Sequence, residues 1–397
     1  MTIRELTLTD LGHVSRGRSR HRPRDADFLY GGPYPFIQTG DVKKANFFVK
    51  EFSQTYSDAG LAQSKMWPAG TLCITIAANI AEVAILGIDA CFPDSIIGFI
   101  ADESICDHRY VKYWFDAYKR QFKQVAQGAA QDNLSQQKLL SFKLPVPDLS
   151  VQGRIADILY GYDHLIENNR RRIALLEEAT HELFAEWFVR LRFPGHEHVI
   201  FLDGVPEGWE RKLLPEIVEI NPRTPIDKHK LSTYVPMAGL SETLSIITET
   251  EMRTGGSGTK FRNYDTLLAR ITPCIENGKT AFVQILPDGE TGFGSTEFIV
   301  LRSRTVTPAW VYCLARTDHI RQTAINSMKG SDGRQRVNPD CFNYYSVLQP
   351  CSSVLEQFDR AAGIALREAD NLARQIERLI EARDMLLPRL MSGELEV

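Results

Sequence analysis

Ile155 to Trp187 reads IADILYGYDHLIENNRRRIALLEEATHELFAEW, and its spacing decides the fold. Ile155, Leu159, Tyr162, Ile166, Asn169, Ile173, Leu176, Thr180, Leu183 and Trp187 follow one another in alternating steps of four and three. On an α-helix that repeat keeps one side chain per turn on a single stripe, the seam of a coiled coil, and leaves the charges for the other faces. No proline falls between Asp148 and Phe193, so about 40 residues can stay helical.

The same stripe is written a second time. Adding 203 gives Phe358, Ala362, Ala365, Ala369, Leu372, Ile376, Leu379, Arg383, Leu386 and Leu390, again mostly apolar. The residues expected to pair the two helices are Ile155, Leu159, Ile166, Ile173, Leu176, Leu183 and Trp187 with Phe358, Leu372, Ile376, Leu379, Leu386 and Leu390. Alanines at 362, 365 and 369 would let the second helix approach Tyr162, Ile166 or Trp187 closely. Asn169 reads as a register-setting polar residue and Arg383 as a chain that carries its head away from the seam. The alternative is two helices that pack separately on their own domains.

Outward from the helices the repeat continues. Leu134–Pro147 (LSQQKLLSFKLPVP) and Val337–Pro350 (VNPDCFNYYSVLQP) share a polar loop, a strand-like run and a final proline at an offset of 203. Thr71–Ile76 matches Thr266–Ile271 at an offset of 195, and Tyr34-Pro35-Phe36 is similar to Tyr234-Val235-Pro236. A duplicated chain follows. It runs as a globular domain at 1–147, a long helix at 148–192, a linker at 193–203, a globular domain at 204–350 and a long helix at 351–397. The hinge region, Arg192 to Gly208, holds Pro194, Gly195, Gly204, Pro206 and Gly208. The expected fold class is α+β, with two pseudo-repeated globular α/β domains separated by two long antiparallel coiled-coil helices. The seam would span about 48 Å at ~1.5 Å per residue, or about 14 base pairs of duplex.

Composition agrees with such a chain. Its 397 residues carry 46 Lys+Arg against 50 Asp+Glu, a net charge of −4, with 43% hydrophobic and 24% charged residues. These are globular values, which exclude a disordered or fibrous chain. MTIRELTLTD has no signal-peptide pattern. The most apolar stretch, Leu72 to Cys91, contains Asn79, Glu82 and Asp89, so it reads as buried strands rather than a membrane span. Seven scattered cysteines without a C-x-x-C pair suit reduced thiols in the cytoplasm, not disulfides or a metal site.

The near-neutral total hides basic loops. His13 to Arg24 (HVSRGRSRHRPR) holds five arginines and no acid, and Lys329 to Arg336 (KGSDGRQR) adds three cations. Arg253, Lys260, Arg262, Arg270 and Lys279 face only Asp265 and Glu276 among the segment's central acids. Basic loops interleaved with Gly, Ser, Asn and Gln suit phosphates and base edges. The candidate DNA contacts are Arg16, Arg18, Arg20, Arg22, Gln38, Thr39, Asn79, Gln131 and Asn133. Arg253, Lys260, Arg270, Asn277, Lys279, Arg334 and Arg336 complete the set.

Catalytic signals are absent or weak. No G-x-G-x-x-G or Walker-type loop occurs. Asn221-Pro222-Arg223 and Asn338-Pro339-Asp340 lack the Asn/Asp-Pro-Pro-aromatic element expected where an exocyclic amine is methylated. Glu210-Arg211-Lys212 has the E-x-K spacing of metal-dependent nucleases, but its nearest upstream acid, Asp203, sits in the hinge. His164 and His181 have no Ser or Cys nucleophile nearby in sequence. A non-catalytic chain with no catalytic residue and no metal is expected, and a DNA-modifying or DNA-cleaving enzyme is the alternative. A protein-binding coiled-coil scaffold is a third reading, which would not bind DNA.

Tyr162–Val189 (YDHLIENNRRRIALLEEATHELFAEWFV) closely resembles the central conserved region of the DNA specificity subunits of type I restriction–modification systems. Ile380–Val397 (IEARDMLLPRLMSGELEV) is similar to that family's distal region and ending. Gly31–Val42, Ile271–Val283 and Asp203–Glu210 resemble elements of its target-recognition domains. His164 departs from the pattern, since many members carry a second acid after Asp163. The resemblance implies two target-recognition domains, each reading one half of a bipartite double-stranded DNA site, with the paired helices setting the spacer. It also implies two methyltransferase subunits around the helices and a restriction/translocase subunit. S-adenosylmethionine would then bind the methyltransferase, not this chain, which holds no cofactor. The methylated adenine N6 would be reached by base flipping.

Overall fold

The computed structural model describes residues 3–127, 136–330 and 335–397. Two compact units divide it, residues 1–167 with 377–397 and residues 168–376. Each unit therefore contains part of both long helices.

In the first unit the apolar runs Leu72–Thr75 and Val83–Leu86 form adjacent antiparallel strands with every side chain buried. Burial on both faces is what such unbroken apolar runs require. They belong to a five-stranded sheet in the order Gly12–Arg16, Ile96–Ala101, Leu72–Thr75, Val83–Leu86, Phe48–Val49. A second sheet runs Gln54–Tyr56, Tyr30–Phe36, Ala90–Cys91, Met66–Trp67. Helix His108–Gln127 closes the core, burying Tyr110, Val111, Tyr113, Trp114 and Phe115 in one cluster with Ile97 and Phe99. Arg4–Leu6 pairs antiparallel with Leu144–Val146, which leads into the central helix, Leu149–Phe184.

The second unit repeats this topology, except that among the described residues its larger sheet has four strands where the first has five. Its larger sheet runs Val218–Ile220, Phe298–Ser303, Thr266–Ala269, Thr280–Phe282. Its smaller sheet runs Glu251–Arg253, Ser232–Val235, Gly292–Gly294, Thr259–Phe261. In both small sheets the pairings are antiparallel, parallel and antiparallel in the same order. Glu210–Leu213 pairs with Ser346–Gln349, which leads into the distal helix, Ser352–Ser392. The two runs offset by 195 occupy equivalent central strands, Leu72 standing opposite Phe99 and Leu267 opposite Val300.

Within each unit the helix segments run antiparallel. In the first, Asp163 meets Arg383 and Arg154 meets the carbonyl of Val397. In the second, Asn169 donates to Gln375 at 3.3 Å and Arg172 to Glu368 at 2.9 Å, while Ile173 packs with Ala369 and Leu372. Burial of Ile173, 1% exposed, contributes about 2 kcal/mol. Asn169 is buried against the partner helix, as a register-setting residue would be.

The stripe drifts from the expected one. Asp163, Glu177 and Phe184 take buried positions, whereas Tyr162, Leu176, Leu183 and Trp187 are half-buried at its flank. Buried positions at 155, 159, 163, 166, 169, 173, 177, 180 and 184 repeat at about 3.6 residues, the period of a straight helix rather than the 3.5 of a supercoil. On the distal helix Leu366 is buried in place of the half-buried Ala365. Arg383 does not turn away: its guanidinium pairs with buried Asp163 at 2.5 Å and with Asp384 at 2.7 Å. Leu386 and Leu390 pack into the first unit's core with Ile155 and Leu159; Phe358 packs with Phe184 in the second. Ile166 is buried, Ile376 packs half-buried beside Ile173, and Leu379 is half-exposed. The helix ends in a π-helical turn, Ala185–Val189.

No helix of the described residues is long and apolar enough to cross a membrane.

Candidate nucleic-acid interface

The arginine-rich loop of the first unit leaves the edge strand Gly12–Arg16 and is pinned by its backbone. Gly17 is needed there because a Cβ would stand 2.3 Å from the carbonyl oxygens of Phe92 and Pro93. The Arg18 amide donates to Phe92 O at 2.9 Å, and Ser64 donates its hydroxyl to Arg18 O at 2.7 Å. Gln63 Oε1 accepts from the amides of Arg20 and His21 at 2.5 and 3.0 Å. The side chains of Arg16, Arg18 and Arg20 are left exposed, with no side-chain partner among the described residues. Arg22 differs: it curls back to donate to Ser19 O and His21 O at 2.8 and 2.7 Å. Arg24 forks onto Asp94 at 2.9 and 3.0 Å. The loop thus presents three unneutralised cations on a fixed backbone, an arrangement suited to phosphates.

Other candidates of the first unit lie elsewhere on it. Gln38 precedes the helix Thr39–Lys44 and donates its amide to Gln54 at 2.6 Å. Thr39 opens that helix and is half-buried. Asn79 is half-buried in the turn after Leu72–Thr75, and its carbonyl accepts from the Thr75 hydroxyl. Gln131 and Asn133 lie outside the described residues.

In the second unit the equivalent edge strand, Val218–Ile220, runs into Asn221-Pro222-Arg223. Asn221 takes a left-handed backbone, φ 50°, and exchanges hydrogen bonds with Val300, its amide donating at 2.7 Å and its Oδ1 accepting at 3.0 Å. Thr224 accepts from Arg302 at 3.0 Å, and Arg302 forks onto nearly inaccessible Asp265 at 2.7 Å. This frame holds the rim of a cavity of about 550 Å³ whose cations are Arg223, Lys228, Lys260 and Arg270. Among the described residues, no carboxylate lines it. Lys260 Nζ donates to Gly258 O at 2.8 Å. Arg270 Nε is buried without a hydrogen-bond acceptor, 3.9 Å from Glu297. Glu297 is already held by Arg336 Nε at 2.9 and 3.0 Å.

The remaining described candidates of this unit have partners within it. Arg253 stacks on Tyr234 at 3.9 Å and pairs with Glu251 at 2.5 Å. Asn277 donates to Glu242 at 3.0 Å, Lys279 to Met237 O at 3.1 Å, and Arg336 to Glu297. Arg334 lies outside the described residues. Arg223 and Lys228 are not among the sequence candidates; Asn221-Pro222-Arg223 reads there only as an incomplete catalytic motif. Glu210 and Lys212, the E-x-K pair, bond each other at 2.6 Å, and that hydrogen bond lowers the Glu210 pKa.

Two buried carboxylates tie each globular core to the central helix. Asp163 accepts from the Tyr113 hydroxyl at 2.7 Å besides pairing with Arg383. Glu177 accepts from the Ser245 amide at 2.6 Å and from the Tyr312 hydroxyl at 3.1 Å, with His181 at 3.6 Å. Burial pushes the Glu177 pKa up, but the neighbouring His181 and the hydrogen bond from Ser245 bring it below the ordinary value.

The family described as type I restriction modification DNA specificity domain matches residues 2–178. The chain is 23% identical to the type I restriction enzyme MjaIX specificity subunit of Methanocaldococcus jannaschii, covering 98% of this chain and 93% of that one. The chain is thus similar to the type I restriction–modification DNA specificity family over residues 2–178, and to one specificity subunit over nearly its whole length. It is also 28% identical to the EcoEI specificity subunit of Escherichia coli, over 47% of this chain and 33% of that protein. The crystal structure of the type I restriction–modification system S subunit from M. genitalium shares its fold, with a TM-score of 0.64 and 13% identity over 98% of this chain and 96% of that one. The family match takes in the arginine loop and Asp163 and ends one residue past Glu177. The cationic cavity belongs to the second copy of the fold.

Proposed function

We propose that this chain is the non-catalytic DNA-recognition subunit of a cytoplasmic type I restriction–modification complex. Each globular unit reads one half of a bipartite double-stranded site, and the paired helices set the spacer between the halves. The helices also offer the surface for two methyltransferase subunits, and a restriction/translocase subunit completes the assembly. S-adenosylmethionine belongs to the methyltransferase, which methylates adenine N6 after the base is flipped from the stack.

The observation that carries this reading is the repetition of one topology with cations on the chain leaving the same edge strand. Arg16, Arg18 and Arg20 stand there in one unit, Arg223 and Lys228 in the other. One surface used twice on one chain suits two half-sites. Selection of bound duplexes from a random library tests it: two short fixed elements around an unspecified spacer are expected. One contiguous element, or no enrichment at all, would overturn it.

A further inference from the structure

The cavity beside Asn221-Pro222-Arg223 carries an inference that rests on the DNA-recognition reading and goes beyond it. Among the described residues its charge is one-sided. Arg223 and Lys228 stand exposed at the rim, Lys260 and Arg270 are half-buried further in, and Thr259 and Thr296 add polar lining. Glu297, 3.9 Å from Arg270, takes both of its short contacts from Arg336, so Arg270 keeps a buried, unaccepted N–H.

The site is also built rather than incidental. The left-handed turn at Asn221 is locked on both sides to Val300. Thr224 is fixed through Arg302 to Asp265. Lys228 is anchored by its carbonyl, which accepts from the Gly255 amide at 3.1 Å. Gly258 lets its strand pass Gly294, where a Cβ would stand 2.2 Å from the carbonyl oxygen. Four cations on three separate segments of chain converge on one space.

We propose that this cavity holds a backbone phosphodiester of duplex DNA, with Arg270 as the inner donor and Arg223 and Lys228 closing over the strand. A free inorganic anion is the other source of the same chemistry. At about 550 Å³ the space is far larger than a lone anion needs, and its cations spread from floor to rim as a polymer passing through would require. A phosphate contact positions the duplex and carries no base preference of its own.

The test compares the full chain with its Arg223→Ala/Lys228→Ala double variant, both substitutions being at exposed positions that leave the core intact. Duplex DNA affinity is measured from low to high salt, and unfolding is followed with and without inorganic phosphate at constant ionic strength. The variant is expected to lose affinity about tenfold, with a log–log salt slope shallower by about 0.9, the value of one phosphate contact. Base preference is expected to stay unchanged. Wild-type binding that the variant reproduces, with the same slope, overturns the cavity assignment and leaves the DNA-recognition reading standing. Phosphate stabilising the wild type alone, without a slope difference, overturns it in favour of a free-anion site. Failure of the wild type to bind DNA overturns both.

Discussion

The Tyr113 hydroxyl donates a 2.7 Å hydrogen bond to Asp163, a carboxylate of the central helix that is only 9% exposed. The second unit makes the same arrangement, Tyr312 donating to Glu177 at 3.1 Å. Both tyrosines sit on the helix that follows the longest strand of the larger sheet, His108–Gln127 in one unit and Pro308–Arg316 in the other. A buried carboxylate needs donors, so each pair admits few orientations of core against helix. These bonds tie each globular core to its stretch of the central helix.

Removing one hydroxyl leaves a buried acceptor short of a donor. Tyr312→Phe is expected to cost about 1–2 kcal/mol in denaturant unfolding. Tyr113→Phe should cost less, because Arg383 still neutralises Asp163. Equal, negligible losses would show that these bonds do not hold the cores in place.

Glu177 predicts an acid limit. Its pKa is lowered in the folded chain, so the stabilisation is complete above the unfolded value of about 4.3 and is lost as pH falls below it. Glu177→Gln should melt lower than the wild type at neutral pH and show a flatter pH dependence between about 3 and 5. Parallel pH curves for the two proteins would refute the assignment.

The drift of the seam separates two isoleucines that the repeat treats alike. Ile173→Ala empties a fully buried position and should cost about 2–4 kcal/mol. Ile376→Ala, at a half-buried position, should cost roughly half as much or less. Equal losses on unfolding would restore the supercoiled stripe.

Gly17→Ala tests the arginine loop through its backbone. The added methyl meets two carbonyl oxygens at 2.3 Å, so a destabilisation of about 2–3 kcal/mol and weaker DNA retention are expected together. Arg16→Ala/Arg18→Ala/Arg20→Ala should leave the melting temperature unchanged and flatten only the salt dependence of binding. An unaltered salt slope in the triple variant would remove the loop from the interface.

The duplication was legible because equivalent strands kept their apolar runs at nearly constant offsets, and the helices because their seam carries few polar residues. The heptad template placed Tyr162, Leu176 and Leu183 inward and so overlooked Asp163 and Glu177. Acids read as surface residues unless the tyrosines that satisfy them can be placed, and Tyr113 and Tyr312 are distant in sequence. The basic loops were legible as charge, but not which cations are already engaged. Arg22 turned to its own loop, Arg253 to Tyr234 and Arg336 to Glu297 are tertiary facts. Arg223 and Lys228 enter the cavity through a left-handed turn at Asn221, a conformation that the Asn-Pro pair permits but does not require.

The central claim is that each unit reads its own half-site. Adenine methylation should be sequenced across the genome of cells carrying the partner subunits with this chain, without it, and with residues 204–350 exchanged for those of a relative. The account predicts a bipartite motif that disappears without the chain. In the exchange, one half of that motif should change while the other half and the spacer stay the same. A motif whose two halves change together, or one that persists without the chain, would contradict it.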